Sequence, residues 1–230
     1  TFMDAGFGAN AVRDPMAPRY QPRNPRYEVF PGPMFEDVLA WGDSGDFLDF
    51  DIYPYWYVES HRLRFAKVHY GFAFMWAVAS YHNRPMGFYV ELDERNHPFQ
   101  ITPKEATGEL AYTAIGEGCH YLNTFIYGTF NTGSMARPER WENAGKDLRA
   151  INRAGPLIMA SRRIPACAAI YFPYDHWIVS GERYFPSFAY ELIRRTFGEC
   201  DLAHQDVVRE KGLAPYRIVA LLGTDILTEE

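Results

Sequence analysis

Three short apolar runs, FLDFDIYP at 47–54, MGFYVEL at 86–92 and YLNTFIYG at 121–128, are each separated from the next by a stretch of helical length. An antiparallel pair closes through a tight turn, but two parallel neighbours need a crossover of a dozen residues or more, usually a helix. Strand, helix, strand in this rhythm therefore predicts parallel β/α units and excludes all-helical and all-β architectures.

The remaining elements follow from the same cues. Thr1–Phe7 reads as a short strand, and residues 8–33, with prolines at 15, 18, 22, 25, 31 and 33, read as a long loop. Phe35–Trp41 reads as one or two helical turns. His61–His82, rich in Phe, Ala, Val and Met, reads as a helix packed in a core and stopped by Asn83-Arg84-Pro85. Thr102-Pro103-Lys104-Glu105 carries a helix-start signature, a capping Thr with proline in the first turn, for a helix running to Gly116 or Gly118. Glu142–Met159 reads as a helix broken near Gly155-Pro156. Beyond Ile164 the order becomes a small-residue strand (IPACAAIYF), an amphipathic helix closed by Gly198, a short strand and turn (CDLAHQDVV) and a further strand (YRIVALLGTDIL). That start resembles an open doubly wound sheet and places a domain boundary near residue 160, giving domains 1–160 and 161–230. No glycine-rich phosphate loop follows any strand, which speaks against a dinucleotide site.

Composition narrows the function. The chain of 230 residues is 47% hydrophobic and 17% aromatic, enough for a large core and well above the range of disordered chains. A net charge of −6 with no basic stripe argues against nucleic acid as a partner. The longest apolar run, GFAFMWAVAS, is too short to span a membrane. The three cysteines, Cys119, Cys167 and Cys200, form neither a disulfide framework nor a metal-ligand spacing, and are read as reduced buried thiols. The seven histidines show no paired spacing on one helix face, so no metal and no cofactor is expected. An acidic chain with unpaired cysteines leans toward the cytoplasm.

The chemistry concentrates at strand ends. Glu91 lies at the end of an otherwise apolar strand, and Asp51, Tyr53 and Tyr127 occupy the corresponding ends of the neighbouring runs. In a parallel barrel, catalytic groups come from the carboxyl ends of the strands. A carboxylate there can act as nucleophile on an anomeric carbon, splitting one hard displacement into two. The alternative for Glu91 is a helix cap or a surface ion pair. Trp56, in YPYWY, suits stacking on a sugar face or core packing alike. Asp4 and Asp49 read as helix caps or inward polar groups, Asp93 and Glu94 as solvated loop charges, and Glu117 as a surface residue at a helix end.

The order LDFDIYP, helix, NRPMGFYVELDE, helix, AYTAIGEGCHYLNTFIYG, helix, then SRRIPACAAIYFPYDHW and GLAPYRIVALLGTDILTEE resembles the later half of clan-A glycoside hydrolases. It is most similar to glycoside hydrolase family 42, the β-galactosidases, in which the barrel precedes an amidotransferase-like trimerisation domain. The resemblance covers nearly the whole chain. It implies an α/β fold: the C-terminal half of a (β/α)8 TIM barrel, strands five to eight, over 1–160, followed by the start of a doubly wound amidotransferase-like domain over 161–230. It implies a retaining glycoside hydrolase acting on O-glycosidic bonds of a carbohydrate substrate, with Glu91 as nucleophile. It further implies Asp51, Tyr53 and Tyr127 around the sugar, where Trp56 is the added stacking candidate, and a homo-oligomer, a trimer in that family. Zinc occurs in some relatives. Tyr127-Gly128 replaces the Trp-Arg pair usual at the eighth strand, so an Arg contact is lost. The second carboxyl, usually a Glu after Asn at the fourth strand, has no counterpart here, and the chain reads as an internal fragment whose acid/base lies upstream of Thr1. The second domain shows no amidotransferase triad, since Cys167 reads as lying inside a strand and Cys200 after a helix. Two rivals stay open: a non-catalytic carbohydrate-binding or assembly protein on the same fold, and an α/β enzyme of another clan using Asp51 or Glu91 as general base.

Overall fold

A computed structural model describes residues 2–4, 42, 45–51, 61–91, 106–125, 138–172 and 187–222. Two wholly parallel sheets flank one long helix. The first contains β1 (Phe2–Asp4), β2 (Leu48–Asp51), β3 (Met86–Glu91) and β4 (Tyr121–Phe125), side by side in chain order. Helices α1 (His61–Tyr81), α2 (Ala106–Gly116) and α3 (Pro138–Ala160) follow β2, β3 and β4 in turn. The second sheet contains β5 (Ala168–Phe172), β6 (Cys200–His204) and β7 (Ile218–Leu221) in the order β6-β5-β7. Helix α4 (Ser187–Phe197) joins β5 to β6, and α5 (Gln205–Lys211) joins β6 to β7. The parallel β/α expectation holds for both sheets.

The first sheet has one apolar face, set by the two-residue period of a strand. Leu48 and Phe50 of β2 and Met86, Phe88 and Val90 of β3 are all at most 3% exposed. Phe50, Phe72 and Phe88 form a triangle of rings with centroids 4.8–5.2 Å apart, which docks α1 on the sheet. The opposite side of α1 meets the second unit. Tyr70 packs edge-on against Tyr190 of α4 at 5.7 Å, and Phe74 meets Phe172 of β5 at 5.0 Å. From Val68 to Ala79 every residue of α1 is buried or half-buried, as expected where a helix is apolar on nearly all sides. It ends where Asn83-Arg84-Pro85 predicts: Asn83 turns left-handed (φ 53°), and the Arg84 N–H closes back on the Ala79 carbonyl at 2.8 Å.

Four details differ from the sequence expectation. Helix α3 runs through Gly155-Pro156 to Ala160 without a break. Pro156 removes one backbone hydrogen bond, but this stretch of α3 is exposed, Leu157 to 75%, so the freed carbonyl is not buried away from solvent. Helix α5, read from sequence as part of a strand and turn, separates β6 from β7 and supplies the crossover that makes them parallel to β5. Its start is capped by His204, whose Nδ1 accepts from the Asp206 N–H at 3.1 Å. Cys167 precedes β5 rather than lying within it, and its thiol donates to the Phe197 carbonyl.

The fourth concerns Glu117. It is a buried ion-pair member, 3% exposed, not a surface residue. Arg194 of α4 reaches its Oε1 at 2.7 Å. Burial pushes the Glu117 carboxyl up, and Arg194 only partly opposes this. Around the pair, His69 Nδ1 of α1 lies 2.9 Å from both Glu191 Oε2 and an Arg194 guanidinium nitrogen. Arg163 bonds Asp201 at 2.6 Å and lies over the Trp76 ring at 5.3 Å. This network joins the end of α2, the face of α1 and the second sheet.

Removing one partner of such a pair strands the other charge in the interior. Arg194→Leu is expected to lower unfolding stability by about 3 kcal/mol. Adding Glu117→Gln should recover a large part of that loss, because it removes the orphaned charge. Urea unfolding midpoints of the two variants check this, and a double variant no more stable than Arg194→Leu would contradict it.

Candidate functional site

The parallel order β1-β2-β3-β4 brings four carboxyl ends to one rim. Asp4, Asp51, Glu91 and Phe125 are the last residues of their strands. Register pairs Asp4 with Asp51, Asp51 with Tyr89, Tyr89 with Asn123, and Glu91 with Phe125. By alternation, positions 49 and 51, 87, 89 and 91, and 121 and 123 share the face opposite the helix-packed one. The structure thus brings two sequence candidates, Asp51 and Glu91, to the same rim on adjacent strands. Tyr53, Trp56 and Tyr127, with Asp93 and Glu94, lie outside the described residues.

One layer below the rim lies a polar arrangement not assigned from sequence. Asn123 Nδ2 of β4 donates to Asp49 Oδ2 of β2 at 2.6 Å. The bond passes over β3, since Asp49 registers with Gly87 and Asn123 with Tyr89. Asp49 is 6% exposed, and its Oδ1 is buried with no hydrogen-bond partner. Burial pushes its carboxyl up, while the hydrogen bonds from Asn123 and the Phe50 backbone pull it down; the net result is raised. The sequence expectation of a cap or an inward polar group resolves to the second.

Gly87 makes this crossing possible. A Cβ there would collide with the Tyr121 ring, which lies across β3 and directs its hydroxyl to the Leu48 carbonyl at 3.4 Å. Phe47 closes on the same ring edge-on at 5.3 Å. Burial, with Asp49 nearby, raises the Tyr121 hydroxyl well above its ordinary range, so it serves as a neutral donor. The buried Cys119 thiol is likewise raised, by burial first and then by Asp49. It is a neutral core group rather than a nucleophile. Among the described residues, no group of three or more His, Cys, Asp or Glu is placed to hold a metal ion, and no helix is long and apolar enough to cross a membrane.

The sequence signal for this layer was present but weak. In LDFD two acidic residues alternate with two apolar ones, and Asn123 interrupts an apolar run. Period two places all three on one face, but which of them meet depends on register between strands.

Comparison with solved structures bears on the fold. The chain superposes on Gan42B, a GH42 β-galactosidase from G. stearothermophilus, with a TM-score of 0.59 and 13% identity, over 80% of this chain and 30% of that one. The β-galactosidase from Rahnella sp. R3 gives 0.58 and 12% over the same shares. That of the psychrophilic Marinomonas ef1 gives 0.58 and 13%, over 84% of this chain and 35% of that one. The chain therefore spans about a third of the length of these proteins. No family model and no curated protein matches it. At such identities the likeness is one of fold: a parallel α/β arrangement of the kind found in clan-A, TIM-barrel glycoside hydrolases.

Two outcomes test this layer. Gly87→Ala should destabilise the protein by about 1–3 kcal/mol, the cost of overpacking. Combining it with Tyr121→Leu should cost less than the sum of the two single changes, because they share one contact; strict additivity in chemical denaturation would refute the contact. Asp49 gives a pH test with a fixed sign. Its folded-state pKa is raised, so the folded chain binds this proton more tightly than the unfolded chain. The favourable contribution is complete below the ordinary Asp value and is lost as pH rises through the folded one. Relative to the unsubstituted protein, Asp49→Asn should therefore gain stability as pH rises from the acid range to neutrality, read from urea titrations across pH. A flat difference, or one of opposite slope, rules this out.

Proposed function

We propose that the chain is the second half of the barrel of a retaining, β-galactosidase-like glycoside hydrolase, over residues 1–160, followed by the start of an amidotransferase-like α/β domain over 161–230. The observation that carries the reading is the shared rim: Asp51 and Glu91 end adjacent parallel strands, above a polar face, in a fold like that of GH42 β-galactosidases. In this reading Glu91 attacks the anomeric carbon of a bound glycoside. The leaving oxygen takes a proton from a second carboxyl, which another part of the full-length protein supplies. Retaining enzymes hold the two carboxyls about 5–5.5 Å apart, close enough for direct attack. Water, deprotonated by the second group, then releases the sugar from Glu91 with overall retention. Asp51, Tyr53, Trp56 and Tyr127 shape the sugar pocket, and the assembly is a homo-oligomer, a trimer on the family's pattern. The step needs no cofactor.

A second reading keeps the fold and drops the chemistry: a carbohydrate-binding or assembly protein. Tyr127-Gly128 favours it, because the Arg of the family's usual Trp-Arg pair is absent. Covalent trapping separates the two. Full-length protein treated with a 2-deoxy-2-fluoro glycoside bearing a good leaving group should carry one glycosyl adduct on Glu91, located by peptide mass spectrometry. Glu91→Gln should lower kcat on the order of 10^4-fold or more and abolish the adduct. Turnover of aryl glycosides with the adduct elsewhere would move the nucleophile; no turnover and no adduct would leave the binding reading.

A further inference from the structure

The Asp49–Asn123 pair has a consequence for recognition that rests on the carbohydrate reading above. A buried carboxylate oxygen accepts hydrogen bonds, so the Asn123 amide must turn its NH2 edge toward Asp49. The 2.6 Å bond and the burial of Asp49 hold it there. The opposite edge of the same amide is the carbonyl Oδ1, an acceptor. Asn123 is only half-buried and stands in register with Tyr89, in the layer of Asp51 and one below Glu91. Gly87 contributes no side chain of its own beneath the bond between Asn123 and Asp49.

We propose that Asn123 is a specificity-determining residue whose Oδ1 accepts a hydrogen bond from one ring hydroxyl of the bound sugar, and that Asp49 is the positioning residue that fixes which edge of the amide faces the ligand. Without Asp49 the amide can present either edge, and a hydroxyl, donor and acceptor at once, is no longer read in one sense. Asp49 thus acts on selectivity through Asn123 while remaining out of reach of substrate.

The test is equilibrium binding to the full-length protein carrying Glu91→Gln, which removes turnover. Isothermal titration compares methyl β-galactoside with its monodeoxy analogues. One analogue should bind about tenfold more weakly than the parent, the scale of a single hydrogen bond. Asn123→Ala should weaken the parent by a similar factor and leave that analogue unchanged. Asp49→Asn, which keeps the size of the side chain, should shrink the parent-to-analogue ratio toward unity. Equal weakening of every sugar by Asn123→Ala, or no weakening, overturns the proposal. If Asn123→Ala does not fold, the ratio in Asp49→Asn decides, and an unchanged ratio overturns it. Failure to bind any of these sugars sinks both this proposal and the carbohydrate reading. Hydroxyl discrimination through Asn123 in a protein whose unsubstituted form does not turn over upholds the inference and removes the hydrolase.

Discussion

Everything described here depends on α1 being buried from both sides. Phe72 faces the first sheet through Phe50 and Phe88, and Tyr70 and Phe74 face the second unit through Tyr190 and Phe172. Full burial of one such ring contributes about 2–3 kcal/mol of transfer free energy. This helix is the one layer that both sheets share, since a core requires two packed layers and α1 lies against each sheet. The aromatic content that invites a carbohydrate reading is therefore largely structural in the described part of the chain. Among the described residues, Phe50, Tyr70, Phe72, Phe74, Phe88, Phe172 and Tyr190 fill the space between layers, whereas Phe47, Tyr112, Trp141, Phe188 and Phe197 are exposed.

The polar groups follow from the same geometry. Once α1 and α2 claim one face of the first sheet, the other face takes the residues of opposite parity, and these include Asp49, Tyr89 and Asn123. A lone carboxylate there would lose solvation with nothing in return. Asn123 and the backbone of Phe50 restore part of it. At the junction of the two units the solution differs. Glu117, Glu191, Glu199 and Asp201 meet Arg194, Arg195 and Arg163, so charge is paired with charge. At Glu191 the outcome even reverses: burial pushes the carboxyl up, but bonds from His69 and Arg195 outweigh it and leave it lowered. Burial alone therefore does not fix the direction: Asp49 and Glu117 stay raised, and Glu191, hydrogen-bonded by both His69 and Arg195, is lowered.

What was legible in the sequence was local. Hydrophobic period and stop signals placed α1 to within a residue at its end, and the strand, helix, strand rhythm gave parallel sheets. What was not legible depended on partners distant in the chain. Glu117 reads as a surface residue because its neighbours, Gly116 and Gly118, signal a helix end; its burial comes from Arg194, 77 positions later. Pro156 reads as a break because the penalty is usually paid in a buried helix, and exposure here removes it. Gly87 reads as a weak strand residue, and its use is seen only when Tyr121 crosses over it.

The same reasoning ties the rim to the core. Side chains of a strand alternate, so position 91 shares parity with 87 and 89 and opposes 86, 88 and 90, all three of which are 0% exposed. A slip of β3 by one residue would drive Met86, Phe88 and Val90 out of the aromatic core and send position 91 toward the helices. The packing of Phe88 against Phe50 and Phe72 forbids that slip. The Asn123–Asp49 bond opposes it too, because it passes over Gly87 and a slip would set Met86 or Phe88 in its path. Two interactions on opposite faces of the sheet thus hold one register, and that register brings position 91 to the rim beside Asp51. The address of position 91 is thus set by the aromatic core on one face and the Asp49–Asn123 bond on the other.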